Sequence, residues 1–90
     1  MMDAGIETRR RQALFRAQRR GTKELDLIFG AFAAAHLAEL DAKQLDSFEE
    51  LLAVPDWQIY RWVMGKEEVP QRYDTEIFAR LRDYRVNLKP

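Results

Sequence analysis

A chain of 90 residues with no cysteine, one histidine and 15 acidic side chains against 15 basic ones is a single domain, free of disulfides and thiolate-bound metal and suited to a reducing compartment. His36 and Ser47, each the sole residue of its type and read into different helices, assemble neither a Ser/His/Asp nor a Cys/His centre, and a histidine metal site would have one ligand. No enzyme of the hydrolytic or metal-dependent kinds, no catalytic residue and no metal site is therefore expected.

The pattern along the chain is helical throughout. Helix one is predicted from Asp3 to about Arg19, with Ile6, Ala13, Leu14 and Ala17 on one side and arginines around the rest. Gly21 ends it, as a residue that tolerates positive φ just past a helix. Thr22 then serves as N-cap of helix two, and Glu24 in the first turn complements the helix dipole. Leu25, Ile28, Phe29 and Phe32 follow the i, i+3, i+4, i+7 rule, and Leu27, Ala31 and Ala34 widen that face, so helix two is expected at the centre of the core. Gly30 within it is expected to mark a close helix crossing.

Helix two should end around Ala38. Asp41 with Gln44 three residues later reads as a capping box opening helix three, lined by Leu45, Phe48, Leu51 and Leu52. Pro55 breaks the chain, Asp56 caps a short helix four carrying Ile59, Trp62 and Val63, and Gly65 stops it. Asp74 or Thr75 caps helix five, whose Ile77, Leu81 and Tyr84 share a face, while 86–90 should fray. The predicted fold is all-α, a small single-domain bundle of five helices over residues 1–90 with its core in 9–84. Trp57 and Tyr60 fall off the apolar stripe of helix four and are expected to be partly exposed.

Net charge is zero but unevenly spread. Residues 1–23 carry seven basic side chains against Asp3 and Glu7, and the remainder carries eight against thirteen acidic ones, a split of +5 and −5 that suggests a directional contact surface. The longest apolar run, Leu27 to Leu37, is interrupted by Gly30 and His36 and is far shorter than the roughly 20 residues of a membrane span, so no membrane insertion is expected. The charged N-terminal region lacks the apolar stretch of a secretory signal.

The most informative segment is Arg19-Arg20-Gly21-Thr22-Lys23-Glu24-Leu25-Asp26. Capping explains Gly21 and Glu24, but not two arginines set against Glu24 and Asp26 across a glycine. The cluster reads as an exposed bipolar knuckle for a protein partner, made of Arg19, Arg20, Gly21, Glu24 and Asp26. The alternative is a small regulator that binds nucleic acid through its basic arm; zero net charge and arginines spread around a helix speak against it. A carrier of a nucleotide cofactor is disfavoured because no G-x-G-x-x-G phosphate loop is present.

At these residues the chain resembles the SdhE family, small flavinylation factors of succinate dehydrogenase whose hallmark is an R-G-x-x-E motif between the first two helices. Arg20-Gly21-Thr22-Lys23-Glu24 matches it, and Leu25-Asp26-Leu27, Leu51-Leu52, Pro55-Asp56, Trp62 and Val69-Pro70 follow in the family's order, so that the likeness covers about residues 9–84. The resemblance implies a five-helix assembly factor, a chaperone rather than a catalyst. It would bind the flavoprotein subunit of succinate dehydrogenase, and that of fumarate reductase as a second client, and promote covalent attachment of FAD without holding the cofactor stably itself. It also implies that Arg20, Gly21 and Glu24 contact the flavoprotein near its flavin site, with Arg19 and Asp26 beside them. Gly21→Arg or Glu24→Ala is expected to abolish flavinylation while leaving the helices intact. Thr22, where many relatives carry Met, and Trp57, where a more polar residue is the rule, depart from the pattern. A fold beginning near residue 3 suggests bacterial cytoplasm in preference to the mitochondrial matrix.

Overall fold

The computed structural model describes residues 2–87. Five α-helices follow in order, α1 (Met2–Ala17), α2 (Lys23–His36), α3 (Ala42–Leu52), α4 (Asp56–Val63) and α5 (Glu76–Asn87), with 3₁₀ turns at Leu37–Glu39 and Gln71–Tyr73. There is no strand among the described residues, and the all-α class expected from periodicity is the class observed.

The caps lie where local chemistry asks for them. Thr22 sits in an extended conformation (φ −126°, ψ 147°) and accepts a hydrogen bond from the Leu25 amide, satisfying one of the orphan donors of the α2 N-terminus. Asp41 and Gln44 close a reciprocal capping box on α3. Gly65 (φ 73°) ends α4: its amide donates to Trp62 O and the Lys66 amide donates to Arg61 O, the paired bonds of a Schellman motif. Thr75, not Asp74, opens α5, its hydroxyl accepting from the Phe78 amide.

Three boundaries and one face differ from expectation. α1 ends at Ala17, and the chain turns through Gln18–Arg20 before Gly21. α2 ends at His36 and tightens into a 3₁₀ turn, which carries both Leu37 and Leu40 into the core. α5 runs through Asn87, so 86–87 are helical, and the rest of the expected frayed tail lies outside the described residues. Leu27 and Ala34, read as widening the buried face of α2, lie on its exposed side, Leu27 with 51% of its surface open. The true core stripe is narrower: Leu25, Ile28, Phe29, Phe32 and Ala33.

α2 packs between α1 and α5, and α3 closes the bundle against both. Phe29, Phe32 and Phe48 meet at its centre, with Phe48 6.0 Å from Phe29 and 5.4 Å from Phe32 between ring centroids. Each fully buried phenylalanine contributes about 2–3 kcal/mol by leaving water, which is how so short a chain folds without staples. The arginine arm is partly structural. Arg9 pairs with Asp46 (2.6 Å) and Glu49 (2.8 Å) on α3, and Arg10 donates to Leu40 O (2.7 Å), so that both fasten α1 to the far side of the bundle.

Candidate functional site at the glycine knuckle

The turn between α1 and α2 is built around Arg20. Its guanidinium lies above the Phe29 ring, 4.7 Å from the centroid, and its side chain is only 5% exposed. Nη1 donates to Leu52 O and Nη2 to Val54 O, both at 2.6 Å, and Nη2 pairs with Asp56 Oδ1 at 2.8 Å. Leu52 and Val54 close the C-terminal end of α3 and the turn beyond it, where carbonyls lack helical partners. One planar fork thus satisfies two of those carbonyls and holds the α3–α4 turn against the α1–α2 turn. Burial pulls the guanidinium's pKa down from its ordinary value, and Asp56 opposes that shift by charge and by hydrogen bond.

Asp26 braces the same turn from the other side. Its Oδ1 accepts from the Arg20 amide and, at 3.2 Å, from the Gly21 amide. Gly21 holds φ 117°, a conformation side-chain-bearing residues rarely adopt, and a Cβ built there would stand 2.7 Å from Asp56 Oδ2. The glycine is therefore required by its own turn. It follows that Gly21→Arg would not leave the fold untouched, contrary to the expectation from sequence, because a side chain there is strained by the positive φ and its Cβ crowds Asp56 Oδ2, the oxygen next to the one that pairs with Arg20.

The predicted site residues thus divide into two groups. Arg20 was expected on the surface and its side chain is buried; Nη1 and Nη2 are directed at the protein's own carbonyls and carboxylate, while Nε is buried without a hydrogen-bond partner. Asp26 is half-buried and bound to the backbone. Arg19, Gly21 and Glu24 are exposed. Glu24 makes no hydrogen bond or ion pair among the described residues, and Arg19 stacks on Phe15, 4.1 Å from the ring centroid. The arginines therefore do not face Glu24 and Asp26 as one bipolar pair. Arg20 is turned inward, and a carboxylate stands free on the outer side.

Sequence reasoning missed two participants, Asp56 and Phe15, and read Trp57 correctly as exposed. Asp56 was read as the cap of α4, whereas Pro55 holds the N-cap position without a side-chain bond and Asp56 turns to Arg20. A charge-assisted bond to a buried guanidinium outweighs a cap, and Asp56 in the first turn still suits the helix dipole. Phe15 and Trp57 stand 59% and 66% exposed, next in sequence or space to the knuckle's own residues. The signal for Phe15 was present: it falls off the Ala13–Ala17 stripe. Among the described residues no group of three or more His, Asp or Glu side chains is placed to hold a metal ion, and no helix is long and apolar enough to cross a membrane.

A family model described as flavinator of succinate dehydrogenase matches residues 11–85. A protein of Aedes aegypti named succinate dehydrogenase assembly factor 2, mitochondrial, is 34% identical over 84 residues, covering 91% of this chain and 52% of its own length. Assembly factor 2-A of Drosophila sechellia is 36% identical with the same coverage, and 2-B of Drosophila melanogaster is 32% identical over 87 residues, 94% of this chain and 56% of its own. The chain spans about half the length of the curated relatives it matches. All three names carry the word mitochondrial, which overturns the expectation of bacterial cytoplasm. That expectation rested on where the first helix starts, and a helix start reports local packing, not compartment.

Proposed function

The chain belongs to the flavinator of succinate dehydrogenase family, and from that premise we propose that it is an assembly factor that binds the flavoprotein subunit of succinate dehydrogenase and promotes its covalent flavinylation. The flavoprotein of fumarate reductase is a second client on the same reading. Bond formation belongs to the flavoprotein; this chain acts as a chaperone and holds no FAD of its own.

The observation that carries the reading is an unpaired, exposed carboxylate, Glu24, standing beside the exposed backbone of Gly21 on a turn braced from within. A turn braced from within by Arg20 and Asp26 keeps its shape while it waits for a partner, and such pre-organisation lowers the ordering cost of binding. Glu24 offers a charge-assisted hydrogen bond, and Gly21 allows close backbone approach. Arg19 adds a cation at the rim. Arg20 and Asp26 act as positioning residues that hold the turn in its binding shape. Docking that favours one arrangement of the flavoprotein's domains raises the occupancy of that arrangement, and with it the rate at which FAD is attached. The basic-arm reading loses ground because Arg9 and Arg10 are engaged with this chain's own groups.

The test is capture of the apo-flavoprotein by the full chain, with in-gel fluorescence of covalently bound flavin as a second readout. Glu24→Ala and Glu24→Lys are expected to retain the wild-type circular dichroism spectrum and to weaken capture about tenfold or more, the size of losing one interfacial charged hydrogen bond. Capture by these variants equal to wild type would rule out the knuckle as the contact. Failure of the wild-type chain to capture the flavoprotein or raise its flavin fluorescence would rule out the function itself.

A further inference from the structure

The arginines of this chain are not alike. Arg9, Arg10, Arg20, Arg61, Arg72 and Arg80 each meet a carboxylate. Arg11, Arg16 and Arg19 have no carboxylate partner among the described residues and all three are exposed; Arg19 stacks on the exposed ring of Phe15, and Arg11 and Arg16 line a groove with it. Two grooves meet along this face. One, of about 400 Å³, runs past Arg11, Phe15, Arg16 and Glu49; the other, of about 380 Å³, runs from Phe15, Arg16 and Arg19 to the Val54–Pro55–Asp56 turn. Phe15 and Arg16 line both. Arg16 also lies near enough to Arg20 for the two positive charges to disfavour one another, so an anion placed here relieves repulsion as well as gaining attraction.

We propose that this face of α1 is a second docking surface, adjoining the Gly21–Glu24 knuckle through Arg19, and that it takes an extended acidic peptide segment of the pattern acidic–x–apolar–x–acidic. The spacing supports this occupant. Arg11 and Phe15 lie one turn apart on α1, about 6 Å along its axis, and Arg19, in the turn beyond Ala17, lays its guanidinium against the Phe15 ring. Alternate side chains of an extended strand stand about 6.6–6.8 Å apart on one face. One carboxylate reaches Arg11 while the following apolar side chain meets the part of Phe15 that Arg19 leaves open, and a second carboxylate meets the Arg19 guanidinium beside that ring. Arg16 meets the peptide from the flank.

Charge complementarity and the aromatic ridge favour a peptide over nucleic acid. Three cations are few for a phosphate backbone, and an exposed aromatic ring offers an apolar contact that such a backbone does not use. The proposal rests on the flavoprotein reading only for which protein carries the segment; the surface chemistry stands without it.

The test uses the full chain and a fluorescein-labelled peptide Glu-Ser-Leu-Ser-Glu, followed by fluorescence anisotropy at low and physiological salt. The wild-type chain is expected to bind it, more weakly as salt rises, and to ignore the matching Lys-Ser-Leu-Ser-Lys peptide. Arg11→Glu with Arg19→Glu is expected to weaken binding about tenfold or more, since each exposed pair is worth about a two- to fivefold factor and reversal adds repulsion. Phe15→Ser should weaken it with less change in salt dependence. Arg19→Gln serves as the mild variant should charge reversal disturb the helix, which circular dichroism reports. Glu24→Ala should bind the peptide as wild type does, which separates this surface from the knuckle and keeps the outcome readable even if the flavoprotein is not the partner. Equal binding of the acidic and basic peptides, wild-type affinity in the double variant, or a single-stranded oligonucleotide bound more tightly than the acidic peptide would each overturn the proposal.

Discussion

Replacing Arg20 by alanine is the sharpest test of how the knuckle is built. The substitution leaves the carbonyls of Leu52 and Val54 without donors in a region where those residues are each 6% exposed, so water cannot readily replace the guanidinium. Hydrogen bonds to a charged donor are worth about 1.5–3 kcal/mol each. The ion pair to Asp56 adds less, because Asp56 remains 30% exposed and regains water once released. The expected loss is about 2–4 kcal/mol, the lower part of the range for a broken buried pair. For a domain of this size that corresponds to a Tm lower by roughly 10–25 °C. Arg20→Lys keeps the charge but not the fork, and should recover less than half of the loss. Arg19→Ala removes only an exposed cation–π contact and should cost under about 1 kcal/mol. Urea unfolding followed by tryptophan fluorescence gives all three on one scale. If Arg20→Ala costs no more than Arg19→Ala yet abolishes flavoprotein capture, Arg20 contacts the partner directly and the internal brace is refuted.

Three further outcomes follow from the same geometry. Gly21→Ala should cost about 1–3 kcal/mol in urea unfolding, because positive φ strains the alanine and its Cβ meets Asp56 Oδ2 at 2.7 Å; a crystal structure of the variant should show Asp56 displaced from Arg20. Gly30→Ala should stabilise the chain by about 0.5–1 kcal/mol, since the glycine is helical and an added methyl would meet Gln18 Cγ at an ordinary 3.6 Å; a lower Tm would show that the α1–α2 contact there is tighter than it looks. The hydrogen bond from His36, aided by the charge of Arg80, holds the Glu39 carboxyl below its ordinary pKa. A depressed carboxyl contributes stability above its unfolded pKa and loses it as the pH falls through the folded value. Glu39→Gln should therefore lower stability slightly at neutral pH and converge with the wild type as the pH falls below about 4.5, as read by urea titrations across pH.

Much of this architecture was legible without coordinates because it is local. The caps at Thr22 and at Asp41 with Gln44, the stop at Gly65 and the aromatic stripe of α2 each depend on residues within one or two turns of each other, where spacing alone sets the geometry. The motif at Arg20-Gly21-Thr22-Lys23-Glu24 was likewise visible, and it points to the family the chain belongs to. What spacing could not tell was the direction of each charged side chain. Whether Arg20 points at solvent or at Leu52, Val54 and Asp56 depends on groups 32 to 36 positions further along the chain, brought close only when α3 and α4 fold back over α2. The same closure turned Asp56 from a cap into a counter-ion, left Leu27 outside the core, and brought no carboxylate to Arg11, Arg16 and Arg19. Local hydrogen bonding and helical period set the elements; burial, which only the assembled bundle creates, settled which charges serve the fold and which remain free for a partner.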